Sequence, residues 1–414
     1  MKKSLFILFL LTGLFVLGQQ SKKVFFVGNS YTSTGNIPNL VKLIAADSGD
    51  ELIYAAHTPG GATFQDHASN PTVTSTISQG DWDYVVLQEQ SQLPSFPMSQ
   101  VEQQVLPYAE QLSEMVKQHN PCAQVAFYMT WGRKNGDSQN CSYWPPVCTY
   151  EGMDDLLYER YMLMAELNSD IVSPVGRVWR YIRNHYPSVE LYSGDGSHPS
   201  AIGSMAAAYT FYTVIFKNSP YDSNYSGSIS SDTMDIVREA VNEVVFNNPE
   251  EWYLNDYLPS ADFEFDAQNL EVTFTDLSEN STGWHWDFGD GNTSEEQNPV
   301  HIYTQPGNYT VRLTSEKCSE NDFTEKTVTV ESMSVNDVLN SELKIYPNPV
   351  KDLIYLDTKE KISEIRLYDL AGKYFGELKL SNQNSADLSS IVSGIYLLKV
   401  KTETGIYNLK FVKK

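Results

Sequence analysis

Between Lys23 and Phe216, short apolar segments alternate with longer segments whose apolar residues recur every three or four positions. The short segments predict β-strands and the longer ones predict amphipathic helices. The predicted strands are KVFFV, ELIYAAH, DYVVLQ, AQVAFYMTW and DIVSPV. The central strands are apolar on both faces, as in a parallel sheet that helices cover on both sides. This alternation predicts an α/β fold, a doubly wound parallel sheet in an α/β/α sandwich.

The pattern changes near residue 258, so we expect the α/β domain to span residues 20–257. Residues 260–331 show short alternating strands broken by Gly, Asn and Asp, which predicts a small all-β sandwich. A polar linker is predicted over residues 332–341. Residues 342–414 alternate again between apolar and polar positions and predict a second small all-β sandwich.

The chain is strongly acidic, with a formal net charge of −23 from 52 acidic and 29 basic residues. This charge argues against partners such as nucleic acid or an anionic membrane surface. Residues 1–18 combine two lysines with an apolar run and end on a glycine, which predicts a cleaved secretory signal peptide. No later apolar segment is long enough to be a transmembrane segment. We therefore expect a secreted or cell-surface protein.

Four cysteines in an exported chain favour at least one disulfide. Cys141 and Cys148 flank the short loop SYWPPV and are the predicted pair. Cys122 and Cys318 lie in different predicted domains, and we expect both to be free thiols. Spacing alone does not determine connectivity, so the alternative in which all four cysteines are reduced stays open.

Three polar clusters follow predicted strands of the α/β region: GNSYT after the first, GGATF after the second and QEQS after the third. Doubly wound sheets bind their ligands at the carboxyl ends of the strands, so these clusters should lie close together. Ser30 in GNSYT is a weak nucleophile without a base, and GNS alone is typical of a plain turn. His198 and Asp195, three residues apart before the last helix, provide a base and an acid partner.

The segments GNSYT, GGAT and DGSH resemble the conserved blocks of the SGNH (GDSL-type) hydrolases. The resemblance covers Lys23–Phe216 and implies an ester hydrolase. It implies that Ser30 is the nucleophile, that His198 is the general base and that Asp195 orients the histidine. No metal and no organic cofactor is implied.

The resemblance also implies an oxyanion hole made by the backbone N–H groups of Ser30 and Gly61 and by a side-chain amide. The third block departs from the family pattern, because Gln88–Ser91 reads QEQS where Gly-x-Asn-Asp is usual. We assign the asparagine's donor role to Gln90, whose amide NH2 survives the change. The longer side chain leaves its geometry open.

Two further residues are candidate substrate contacts. Glu89 could orient groups or act as an acid, but a salt bridge with Arg133 is the favoured alternative. Trp144, inside the predicted disulfide loop, could stack on a sugar ring or pack in the core, whereas Trp131 is expected in the core. An acylated carbohydrate or another small ester is the expected substrate. The competing hypothesis is a non-catalytic surface protein, a glycan-binding adhesin on a hydrolase scaffold.

The C-terminal segments carry resemblances of their own. WHWDFGDG followed by HIYTQPGNYTVRLT resembles the polycystic-kidney-disease (PKD) repeat. Its Asp287, Asp290 and Asn292 suggest calcium, but their spacing is not that of an EF-hand loop, and a structural turn is favoured. YPNPVKD, DLAGK, SGIYLLKV and KFVKK resemble the type A C-terminal sorting domain, which implies the type IX secretion machinery as a partner.

Overall fold

A computed structural model describes residues 19–318, 320–331, 343–370, 372–381, 384–403 and 405–414. The predicted signal peptide (1–18) and the predicted linker (332–341) lie outside the described residues. The chain divides into two compact units, of which the first ends at Tyr257 and the second begins at Leu258.

Five parallel strands form the sheet of the first unit. They are β1 (Ser21–Val27), β2 (Glu51–His57), β3 (Tyr84–Leu87), β4 (Gln124–Tyr128) and β5 (Ile171–Ser173). Their order across the sheet is β2–β1–β3–β4–β5, and every neighbouring pair is parallel. In this order the connections change direction between β1 and β3, which is where such sheets bind ligands.

Ten α-helices belong to the described part of the first unit. They are α1 (Ser30–Ser33), α2 (Ile37–Ser48), α3 (Phe64–Ala68), α4 (Pro71–Ile77), α5 (Met98–Gln104), α6 (Leu106–His119), α7 (Tyr150–Asn168), α8 (Val175–His185), α9 (Ala201–Phe216) and α10 (Ser231–Val241). Helices α2, α8, α9 and α10 pack together, and α3 to α7 form a second packed group. The predicted α/β/α fold class is confirmed.

Helix α9 shows why the sheet is covered so completely. Its sequence is apolar on almost every side, and all residues from Gly203 to Phe216 are buried. A helix that is apolar all round belongs inside a protein rather than on its surface. Its ring contacts include an edge-to-face pair between Phe211 and Phe26 of β1, with centroids 5.6 Å apart. This packing holds β1 in place from one face.

The second unit begins with strands β6 (Phe263–Gln268), β7 (Glu271–Asp276), β8 (Gly283–Asp287), β9 (Thr293–Ser294), β10 (Val300–Ile302), β11 (Gly307–Lys317) and β12 (Glu320–Val330). They form two sheets, β10–β7–β6 and β12–β11–β8–β9, around a core that includes Trp286 and Phe274. Asp287 accepts the N–H of Gly289, and Asp290 accepts the N–H of Asn292. Both carboxylates therefore accept hydrogen bonds within a turn, as the favoured alternative of a structural turn predicts.

The remaining strands are β13 (Lys344–Tyr346), β14 (Leu353–Asp357), β15 (Ile362–Asp369), β16 (Tyr374–Glu377), β17 (Ser385–Asp387), β18 (Gly394–Thr402) and β19 (Ile406–Lys413). They form the antiparallel sheets β13–β14–β17 and β16–β15–β18–β19 around one apolar core. Two small all-β sandwiches were predicted, and both are present. Across the residues that the structure describes, no helix has the length and apolarity needed to cross a membrane.

Candidate active site

The segment Gly28-Asn29-Ser30 joins β1 to α1 under tight packing. A Cβ added to Gly28 would lie 2.6 Å from Thr32 Oγ1 and 2.7 Å from Gln88 Oε1, so the position requires glycine. Asn29 caps α1, because its side-chain oxygen accepts the N–H of Tyr31 at 3.1 Å. The glycine and the asparagine thus present Ser30 as the first residue of a helix at the sheet edge.

Ser30, His198 and Asp195 form one hydrogen-bonded chain. Ser30 Oγ lies 2.8 Å from His198 Nε2, and His198 Nδ1 lies 2.5 Å from Asp195 Oδ2. Because a carboxylate only accepts, Nδ1 carries the ring proton and Nε2 is left to accept from the serine hydroxyl. The side chains of His198 and Asp195 are 35% and 50% exposed, so the chain is open to solvent on one side.

Asp195 is held in its ionised form by the loop around it. Its Oδ1 accepts the N–H of Ser197 at 2.9 Å, the N–H of His198 at 3.0 Å and the hydroxyl of Ser193 at 2.8 Å. Partial burial alone would raise the pKa of Asp195, but the hydrogen bonds from the His198 ring and from this loop lower the pKa well below its ordinary value. A carboxylate in this position holds the proton of the adjacent imidazole on Nδ1.

The side chains of Tyr31 and Trp131 contact the loop that contains His198. The Tyr31 hydroxyl lies 2.6 Å from Ser197 Oγ, and Trp131 Nε1 donates to the Ser197 carbonyl at 3.0 Å. The Tyr31 and Trp131 rings stack with centroids 4.8 Å apart, and the edge of His198 meets Tyr31 at 5.4 Å. Trp131 is fully buried, as expected. The role of Tyr31 was not predicted from the sequence, although its place directly after Ser30 is a signal.

The proposed oxyanion donors are arranged less directly. Gly61 is exposed and has a φ of +72°, which explains the glycine, and nothing fills the space beside it. The side-chain oxygen of Gln90, Oε1, accepts the N–H groups of Gln92 and Leu93, at 2.7 and 3.1 Å. The Gln90 amide NH2 donates to Gln92 Oε1 at 3.3 Å. The structure therefore folds the Gln90 side chain onto its own loop and does not direct it at Ser30.

Glu89 neither contacts the surface nor pairs with Arg133. Its side chain is 0% exposed, so it cannot contact a substrate at the surface. Arg133, the expected salt-bridge partner, instead pairs with Asp137 at 3.1 Å. The Glu89 carboxyl accepts backbone N–H groups from Phe64, at 3.1 Å to each oxygen, and from Gln90 at 2.5 Å. The expected substrate contact and the expected salt bridge were both wrong, because a polar residue after a strand is typically exposed, whereas here two loops close over Glu89.

The loop between Cys141 and Cys148 is closed by a disulfide between these two residues. Trp144 inside it is half-buried, packs against the core and donates its indole N–H to the Ser95 carbonyl at 3.0 Å. Neither Cys122 nor Cys318 is a free thiol, so the expectation that both are free was wrong. The expectation was drawn from sequence position alone, and sequence position does not determine cysteine connectivity.

Solved structures with related folds align with the α/β unit. A DUF4886 family protein from Bacteroides uniformis aligns over 56% of this chain and 95% of its own, at 16% identity and a TM-score of 0.48. A provisionally assigned SGNH hydrolase from Slackia heliotrinireducens aligns over 46% of this chain and 97% of its own, at 24% identity and a TM-score of 0.39.

Two segments of the second unit match family models. Residues 259–332 match the PKD domain, and residues 344–414 match the secretion system C-terminal sorting domain, as predicted. The sorting-domain match indicates export to the cell surface or secretion. The pre-pro-metalloprotease PrtV of Vibrio cholerae is 35% identical over 79 residues, which is 18% of this chain but 9% of that protein. The chain is thus similar to PKD and secretion-sorting modules in its second unit, and its first unit has a DUF4886 protein and an SGNH-type protein among its solved neighbours.

Proposed function

We propose that the first unit is a serine ester hydrolase of the SGNH type that acts outside the cell. The observation that carries the proposal is the hydrogen-bonded chain of Ser30, His198 and Asp195. It lies where β1 ends, beside the β1–β3 switch point of the sheet, and it is open to solvent. The resemblance of GNSYT, GGAT and DGSH to SGNH hydrolase blocks supports the same assignment.

In the proposed reaction, Ser30 Oγ attacks the ester carbonyl carbon while His198 Nε2 takes the hydroxyl proton. The bond from the carbonyl carbon to the alcohol oxygen then breaks, and His198 returns the proton to that oxygen. A water molecule next attacks the acyl-serine as His198 removes its proton. The bond to Ser30 Oγ breaks, Oγ regains the proton and the carboxylic acid leaves. Asp195 keeps Nδ1 protonated and stabilises the imidazolium in both halves.

The negative charge that develops on the carbonyl oxygen requires nearby donors. We assign this role to the N–H groups of Ser30 and Gly61 and to the Gln90 amide. The N–H of Ser30 is the first of α1 and so has no acceptor within its helix. The Gln90 amide would have to leave Gln92 Oε1, a contact that is weak at 3.3 Å. Its participation thus requires a side-chain rotation when substrate binds.

We propose acetylated or similarly acylated carbohydrate as the substrate. The triad side chains are partly exposed, which suits a polymer chain that must bind from solution. The disulfide loop carries one exposed aromatic side chain, since Tyr143 is 71% exposed, and Trp144 beside it is half-buried against the core. Flat aromatic faces of this kind pack well against the apolar face of a sugar ring. The acidic surface of an exported protein agrees with a neutral polysaccharide rather than an anionic lipid layer.

Hydrolysis of a short-chain aryl acetate tests the proposal. Wild type should release product, and Ser30→Ala should reduce kcat by several orders of magnitude because the nucleophile is lost. Ser33→Ala is the matched control, since Ser33 is an exposed serine of the same helix outside the triad. It should keep the wild-type rate. Equal rates for wild type and Ser30→Ala would instead favour the non-catalytic glycan-binding hypothesis.

A further inference from the structure

Glu89 is a buried carboxyl that touches two loops of the site at once. The N–H of Phe64, the first residue of α3, lies 3.1 Å from both carboxyl oxygens. The first N–H groups of a helix have no intrahelical acceptor, so Glu89 provides the acceptor that Phe64 lacks. The Gln90 N–H reaches Oε1 at 2.5 Å. One side chain therefore joins the loop that contains Gly61 to the loop that contains Gln90.

Hydrogen bonds from the Asn29 side chain join the same two loops to the segment that contains Ser30. Asn29 Nδ2 donates to the Ala62 carbonyl at 3.0 Å and lies 3.4 Å from the Glu89 carbonyl. Asn29 is 2% exposed and directly precedes Ser30. The loops that follow β1, β2 and β3 are thus tied to one another through Asn29 and Glu89. Gly61 is adjacent in sequence to Ala62, and Ser30 is adjacent to Asn29.

The surroundings of the Glu89 carboxyl favour its neutral form over its ionised form, and the neutral form can still accept hydrogen bonds. Among the described residues no cation forms an ion pair with Glu89, and Arg133 is paired with Asp137. An unpaired buried charge is costly, so the neutral acid is favoured. Burial raises the pKa of Glu89 to about 8, against the lowering effect of the N–H groups of Gln90 and Phe64. A neutral carboxyl still offers a carbonyl oxygen that can accept both N–H groups.

We propose that Glu89 is a positioning residue that sets the Gly61 loop and the Gln90 loop against Ser30, so that the oxyanion donors meet the substrate carbonyl. The inference rests on the proposed ester hydrolase function. It assigns Glu89 no contact with the substrate and no proton transfer. A displacement of about 1 Å at a reacting centre can cost about 10²-fold in rate, so the role should be visible in kcat.

Three substitutions of Glu89 separate its possible contributions. Glu89→Gln keeps an oxygen in place for both N–H groups, so its kcat should stay within about threefold of wild type. Glu89→Asp is one methylene shorter, and Glu89→Ala has no acceptor. Both should lose about 10²-fold in kcat, comparable with the loss of one oxyanion donor, with KM changed less than about threefold. Asp170→Asn is the matched control, because Asp170 is also a buried carboxyl but precedes β5, at the opposite edge of the sheet.

A second measurement does not depend on activity. Amide hydrogen exchange at Phe64 and Gln90 should be slow in wild type and in Glu89→Gln, and faster in Glu89→Asp and Glu89→Ala. The melting temperature of each variant separates a local change from general unfolding. If Glu89→Ala does not fold, Glu89→Asp alone is compared with Glu89→Gln.

The outcomes distinguish this inference from the function on which it rests. Wild type that hydrolyses no faster than Ser30→Ala would contradict the ester hydrolase, and the positioning role would fall with it. With an active wild type, three results would overturn the role of Glu89 alone. These are wild-type kcat in Glu89→Asp, a Glu89→Gln variant as slow as Glu89→Ala, and unchanged exchange at Phe64 and Gln90.

Discussion

Replacing Glu89 by glutamine should change how the stability of the α/β unit depends on pH. In the folded protein, burial raises the pKa of Glu89 to about 8. In the unfolded chain, the same carboxyl should titrate near the ordinary value of about 4.3. Between these two values the folded state holds one proton more than the unfolded state. Rising pH therefore destabilises wild type across this window and has no further effect above it.

The size of the effect follows from the width of the window. Each pH unit inside it lowers the free energy of unfolding by about 1.4 kcal/mol. Between pH 5 and pH 7 the change is on the order of 3 kcal/mol, which requires only that the folded pKa exceed 7. Glutamine does not titrate, so this slope is absent from Glu89→Gln. The difference in unfolding free energy, wild type minus Glu89→Gln, should fall steadily from about pH 5 to about pH 8.

Urea denaturation of the exported chain at half-unit steps from pH 5 to pH 9 measures this difference. Asp170→Asn is the reference variant for this measurement. Burial raises the pKa of Asp170 to about 6, a smaller rise than that of Glu89 because the nearby ammonium of Lys117 favours the carboxylate. Its difference from wild type should stop changing near pH 6, while the Glu89 difference continues to fall. A Glu89 difference that is constant between pH 5 and pH 7.5 would show that Glu89 is ionised in the fold, and the reasoning would be refuted.

Three further predictions concern other parts of the chain. Asp195→Ala should lower kcat by about 10³- to 10⁴-fold, because His198 loses the carboxylate that fixes its tautomer; kinetics on an aryl acetate would show this, and an unchanged kcat would exclude the orienting role. Replacing Cys141 and Cys148 together by serine opens a loop with a sequence separation of 7 and should cost about 2.5 kcal/mol in unfolding free energy, whereas a loss below about 0.5 kcal/mol would contradict the loop-closure argument. Deleting residues 344–414 should leave aryl acetate hydrolysis intact and prevent export, as cell fractionation would show; an inactive but folded truncation would mean that the tail contributes to the site.

The sheet and the proposed triad could be predicted because their signals are local. Strands such as Tyr84–Leu87 are short, apolar and bounded by polar residues, and their carboxyl ends must share one edge of a parallel sheet. Ser30 follows the first strand, and the Asp195–His198 pair precedes helix α9. The topology alone therefore brings them to the same edge. Helix α8 was missed although Val175, Val178, Trp179 and Ile182 repeat at helical spacing and are all buried.

The surroundings of the third block could not be predicted from the sequence. Whether Glu89 is buried depends on the path of the loop after β2, which brings the N–H of Phe64 to the carboxyl across 25 positions of sequence. The Gln90 side chain is directed by the turn at Gln92 and Leu93, and no residue pattern specifies that choice. Burial of polar groups is decided by the loops that close over them, and loops follow tertiary packing rather than local propensity.

Covalent labelling of Ser30 is the most direct test of the proposed function. A fluorophosphonate ester reacts with an activated serine, whose oxygen displaces fluoride from phosphorus, and the adduct is located by peptide mass mapping. We expect one adduct, on the peptide that contains Ser30, and we expect it to be absent from His198→Ala because the base is gone. Ser33→Ala should be labelled as fast as wild type. A folded wild type that takes no label at Ser30, or that is labelled equally fast without His198, would contradict the proposed catalytic site.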